Sequence, residues 1–289
     1  MFRSNGTHAE CAENVAANLH KLGRCKNDDM SRNIYVLRNH YKNDNVVQLF
    51  NTLKADLGEE NVFMIYNDDK EAWTPEHTEA FGMRKVARLG ESAVFSSGPA
   101  VMLHTEHECR AVNPCHINCL FSVETALVCL KKLLAFDWDY MWVFENDVHC
   151  NGNWRETLAV CQHQRGDILA HIAKQYSHHN AAWQHWNFLR NYFPPLHMRG
   201  QAFIPVMRLS RAGVECLEKE LGRKGGFVEV YFPTVFIEHG LTLEEMPAEV
   251  FGAHYQWDSA KPITYMRNVI HPKYGAHENK LYHPIKLNI

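Results

Sequence analysis

Glu145 and Asp147 stand one residue apart in the segment 139–148 (DYMWVFENDV), at the end of an apolar run. Along an extended chain alternate side chains share a face, so these two carboxylates point one way and Asn146 the other. Paired hard oxygen ligands at the carboxyl end of a buried strand in an α/β protein can hold a divalent cation against a diphosphate. Acidic residues also end strands simply by favouring turns over ladders. What strengthens the site reading is the run before them. Tyr140 to Phe144 is apolar at every position, as expected of a strand covered on both faces.

Other residues could serve the same edge. Arg38, Asn39 and the turn at Asn67 and Asp68 follow apolar runs and are candidates for nucleotide contacts by position. Trp183, Trp186 and Trp257 offer faces on which a sugar could stack, although buried area alone accounts for most large aromatics. The chain has 19 histidines scattered through loops, and surface or hydrogen-bonded roles account for most of them. The segment from Cys109 to Cys119 (CRAVNPCHINC) lacks the paired C-x2-C spacing of a structural zinc site.

These residues need a frame. Asn33 to Leu37 reads as a first buried strand and Asp44 as a helix N-cap. Val46, Val47, Phe50, Leu53 and Leu57 recur at helical spacing, with Gly58 as the stop. A second strand follows over Val62 to Tyr66, and strand–helix–strand at this spacing predicts a parallel pair whose carboxyl ends share one edge. The spacing of Leu120, Val123, Leu127, Leu130 and Leu134 predicts a helix over 117–135. Beyond the acidic strand come a short helix over Trp154 to Cys161 and a strand over Asp167 to His171. A strand around Gln201 to Met207 and a helix over Arg211 to Leu221, capped by Ser210, complete the pattern. The alternation predicts an α/β fold with a mostly parallel central sheet flanked by helices.

Composition narrows the class. At 289 residues and 46% hydrophobic content the chain can bury a large core, and a net charge of −3 without a Lys/Arg stripe argues against a nucleic-acid partner. Nine cysteines at irregular spacings, several inside apolar patterns, fit a reducing compartment. Residues 1–30 form a polar leader with no apolar run long enough for a signal peptide or membrane span, so a cytoplasmic location is expected, or a Golgi lumen if an anchor precedes this chain.

Taken in order along residues 31 to 286, these features resemble the GT-A-fold, nucleotide-sugar-dependent glycosyltransferases. Glu145-Asn146-Asp147 stands where those enzymes carry an Asp-x-Asp motif, with Glu replacing the first Asp. Gly200, Gln201 and Ala202 are similar to the donor-side glycine loop, and the segment Gly225 to Thr234 to the one that opens the acceptor-side helix. The tail Asn279 to Lys286 is similar to the C-terminal segment whose histidine, here His283, completes the metal and diphosphate site.

The resemblance implies a single domain over 31–289, with a nucleotide-binding half (31–170) and an acceptor-binding half (171–289). It implies transfer of a sugar from a UDP- or GDP-sugar to a hydroxyl of a glycan or glycoconjugate, with inversion, since a single displacement needs only one base. Asp147, Glu145 and His283 are then expected at Mn²⁺ or Mg²⁺, Glu229 as the base, and Arg38, Asn39, Asn67, Asp68 and Asn146 at the nucleotide. Gly200, Gln201, Trp183 and Trp257 are expected at the sugars. The alternative reading places Glu229, between Val228 and Val230, on the solvent side of a strand. Three other classes stay open: a non-catalytic scaffold on the same fold, a metal-dependent phosphoester hydrolase, and a nucleotidyltransferase. The hydrolase lacks clustered His and Asp ligands in its sequence, and the nucleotidyltransferase lacks a Gly-rich phosphate loop.

Overall fold

The computed structural model describes residues 32–39, 44–67, 84–89, 92–96, 103–104, 123–134, 136–256, 261–262 and 278–286. The first half runs β1 (Asn33–Asn39), α1 (Asp44–Leu57), β2 (Val62–Asn67), β3 (Arg84–Leu89), β4 (Ser92–Ser96), β5 (Leu103–His104), α2 (Val123–Leu133), β6 (Tyr140–Glu145) and β7 (His149–Cys150). Next come α3 (Trp154–Ala159), β8 (Ile168–Gln175), β9 (Leu189–Arg190), β10 (Gly200–Ser210), α4 (Arg211–Glu220), β11 (Gly225–Gly226) and α5 (Val228–Glu238). The chain ends in β12 (Leu243–Glu245), β13 (Phe251–Tyr255), β14 (Lys261–Pro262), β15 (Leu281–His283) and β16 (Ile285–Lys286).

Among the described residues nine strands form the main sheet, in the order β12-β8-β10-β6-β1-β2-β4-β3-β5. Alternation within each strand sends neighbouring side chains to opposite cores. Val36, Met141 and Val143 join α2, α4 and α5 on one face, while Leu37, Trp142 and Phe144 join α1 and α3 on the other. The result is an α/β fold with helices on both faces.

The expected parallel pair is present: β1 runs parallel to β2 and also to β6, with Arg38 opposite Glu145. The sheet as a whole is mixed, which corrects the mostly parallel expectation. β10 is antiparallel to both β6 and β8, and β4 is antiparallel to both β2 and β3. β8 and β10 are joined without a crossover helix, so the chain turns back at one sheet edge. Because β10 is buried on both faces from Gly200 to Leu209, it has the same apolar signature as a parallel strand. The expected boundary between halves at 170/171 falls inside β8, which belongs to the same sheet as β1.

Local signals act as expected. Ser210 accepts a hydrogen bond from the Gly213 amide and opens α4, and Gly58, at φ 97°, follows α1. Gly200 permits the close approach of β10 to α5: a Cβ there would lie 2.6 Å from Pro233 Cβ, and its amide donates to Thr234 Oγ1 at 3.0 Å. Cys150, Cys161 and Cys216 are buried free thiols, as their apolar contexts imply. The segment Cys109 to Cys119 lies outside the described residues. Among the described residues no helix is long and apolar enough to cross a membrane.

Candidate metal centre

β6 delivers Glu145 at its last position, and the chain then turns, with the Val148 amide donating to the Glu145 carbonyl at 3.2 Å. The turn tucks Asn146 inward, where its amide donates to Asn39 Oδ1 at 3.1 Å and both side chains are buried. Asp147 emerges beside Glu145. Its carbonyl accepts the Ile285 amide at 2.8 Å, which ties the acidic turn to the C-terminal segment.

That segment brings the third group. His283 ends β15, which pairs with β13 and β7 in a separate three-stranded sheet. Its Nε2 lies 3.6 Å from Glu145 Oε2 and 3.5 Å from Asp147 Oδ1. The available ligand atoms of the three residues all lie within 4.8 Å of one another, so the group could hold a metal ion. Its Nδ1 donates to the Gln256 carbonyl at 3.0 Å, an arrangement that leaves the Nε2 lone pair aimed at the carboxylates when the ring is neutral. Two carboxylates and an imidazole suit a hard or borderline cation such as Mn²⁺ or Mg²⁺. Burial lowers the affinity of His283 for a proton, but hydrogen bonds and charge from Asp147 and Glu145 outweigh it and hold its pKa at about 9.

Around the three groups the strand ends supply polar and aromatic neighbours. Arg38 Nη1 donates to Glu145 Oε1 at 3.2 Å. Phe203 and Tyr255 pack their rings against His283, with centroids 5.5 Å and 5.9 Å away. The Tyr255 oxygen accepts the Val206 amide at 3.1 Å, next to a register shift between Phe203 and Met207 where β10 leaves step with β8. Burial raises the Tyr255 pKa well above its usual range; the Val206 hydrogen bond opposes this, and the charges of Glu145, Asp147 and Glu229 add to it. Glu229, buried in the first turn of α5, therefore lies within electrostatic reach of the same phenol as Glu145 and Asp147.

The remaining expected residues that the structure describes fall in three groups. Asn39 and Asn146 are bonded to each other, and Asn67 ends β2 on the edge shared with β1 and β6. Gly200 and the buried Gln201 open β10, whose antiparallel register carries them beyond the carboxyl end of β6. Trp183 instead packs edge-on against Trp186 at 4.9 Å and His185 at 5.3 Å, in a cluster on the main core. Asp68 and Trp257 lie outside the described residues. Phe203, Tyr255 and Gln256 were missed because their sequence pattern is that of ordinary core and strand residues.

No protein-family model matches the chain, and no curated protein matches it.

Proposed function

We propose that the protein is a metal-dependent glycosyltransferase that moves a sugar from a nucleoside diphosphate donor to a hydroxyl acceptor, with inversion. The observation that carries this reading is the convergence of Glu145, Asp147 and His283 at a strand-end edge; Glu229, in the first turn of α5, acts electrostatically on Tyr255, whose ring packs on His283. Asp147 and His283 would ligate the cation, and Glu145 would join them or hold the ribose through water. A divalent cation bound there supplies Lewis-acid neutralisation of the departing diphosphate oxygens. The Arg38 guanidinium fixes one oxygen of Glu145 and places a positive charge beside the donor site.

Glu229 takes the proton of the acceptor hydroxyl on its carboxylate as that oxygen attacks the anomeric carbon. Its place in a helix buried from Val228 to Phe236 keeps bulk water away from the base. One base opposite one leaving group is sufficient for a single displacement, which is why inversion is favoured. The test is nucleotide release and sugar transfer from a panel of UDP- and GDP-sugars, with Mn²⁺ or EDTA, comparing wild type with Asp147→Ala. Metal-dependent turnover of one donor, lost in the variant, supports the proposal; no turnover and no metal-dependent nucleotide binding would leave a scaffold on this fold.

A further inference from the structure

Of the three proposed ligands, His283 is the one that does not come from the acidic turn. It is carried by residues 279–285, which lie along the segment 147–156 and are bonded to it at both ends. At the near end the Ile285 amide donates to the Asp147 carbonyl at 2.8 Å. In the middle, Leu281 pairs with Cys150 and Tyr282 with His149. Asn151 accepts the Lys280 amide on its side chain at 2.9 Å, and its own amide donates to the Lys280 carbonyl at 3.0 Å.

At the far end Asn279 acts as the fastener. Its Oδ1 accepts the Asn153 amide at 2.9 Å and its Nδ2 donates to Glu156 Oε2 at 2.7 Å. It does so from φ 52°, a left-handed conformation that Asn tolerates better than most side chains. Gly152 makes room for it: a Cβ there would lie 2.0 Å from Asn279 Oδ1 and 2.9 Å from its Cα. Gly252 does the same under the Tyr282 ring, where a Cβ would come within 2.2 Å.

We infer that Asn279 and Asn151 are positioning residues for His283, and that docking of residues 279–285 onto 147–156 and binding of the divalent cation are one coupled equilibrium. The inference rests on the metal-site reading above. One side of the docking groove begins with the ligand Asp147, and the docked segment carries the ligand His283. A cation held by both therefore favours the docked state, and any loss of docking lowers apparent affinity by the fraction left undocked.

The experiment is Mn²⁺ titration of the full chain, followed by electron paramagnetic resonance, with hydrogen exchange of the 279–285 amides measured with and without Mn²⁺. Asn279→Gly keeps the backbone freedom and removes both side-chain bonds, so it should weaken Mn²⁺ binding about tenfold while far-UV circular dichroism stays unchanged. Asn279→Asp places a carboxylate against Glu156 and should also weaken binding. Adding Glu156→Gln restores that bond with donor and acceptor exchanged, and affinity should return to within about threefold of wild type. Mn²⁺ should slow exchange across 279–285 in the wild type. Equal affinity in wild type and Asn279→Gly, or exchange indifferent to Mn²⁺, overturns the coupling and leaves the metal site standing; no binding by the wild type overturns both.

Discussion

Arg38 and Glu145 are register partners on adjacent parallel strands, and the guanidinium Nη1 sits 3.2 Å from Glu145 Oε1. The other carboxylate oxygen of Glu145 faces His283 Nε2 at 3.6 Å, so one side chain is shared between the guanidinium and the proposed metal position. A positive charge at that distance opposes a second one. Arg38→Gln is therefore expected to tighten Mn²⁺ binding by roughly two- to fivefold while raising the KM for the nucleotide donor. Isothermal titration with Mn²⁺ and donor kinetics check the two opposite signs, and weakened Mn²⁺ binding would refute the sharing.

Removing a ligand should be more severe. Asp147→Asn keeps the shape of the side chain and removes its charge, so Mn²⁺ binding is expected to weaken by about 100-fold or more, with turnover falling in step. Thermal unfolding without metal tests whether the variant is folded.

At His283, as a proposed ligand, a proton and a metal ion would compete. In the metal-free protein its pKa is held at about 9, above the ordinary value of 6.5. The stabilisation this represents is complete below about pH 6.5 and disappears as pH rises through about 9. The Tm of the apoprotein is therefore expected to fall across that window, and His283→Gln should flatten the profile. Mn²⁺ affinity should rise over the same window, with release of about one proton per ion, because ligation requires the neutral ring. Calorimetry in buffers of different ionisation enthalpy measures that proton directly.

Glu229→Gln separates base from ligand. It should lower kcat by about 10²- to 10⁴-fold, the usual contribution of a positioned base, with Mn²⁺ affinity unchanged within about twofold. A parallel loss of metal binding would show that Glu229 belongs to the metal group instead.

How much of this was legible in sequence depends on the range of the interaction. β1 and β6 were readable because Ile34 to Leu37 and Tyr140 to Phe144 are apolar runs closed by polar residues. The Ser210 cap is a contact over three residues, and its signal lies in the same short window. The direction of β10 was not readable, since burial on both faces erases the alternation that would distinguish an antiparallel strand. Val228-Glu229-Val230 has strand-like alternation yet lies in α5, whose burial on nearly every side removes the helical stripe. The seating of His283 depends on pairing between residues about 130 positions apart, as in Asn151 with Lys280, and no local periodicity records it.

The register shift in β10 between Phe203 and Met207 joins two sheets that share no strand. It lies beside Val206, whose amide reaches the phenol of Tyr255 in the small sheet, while Phe203, at its other end, lies against His283. Deleting one residue there would do more than shorten a strand. Gly200 to Phe203 would each exchange faces, withdrawing the glycine from Pro233 and the phenyl ring from the imidazole in a single step. The irregularity thus works as a spacer whose length sets the phase between Gly200 and the residues that pack on His283, and β10 should tolerate volume-conserving substitutions at 203–207 better than any change in the number of residues.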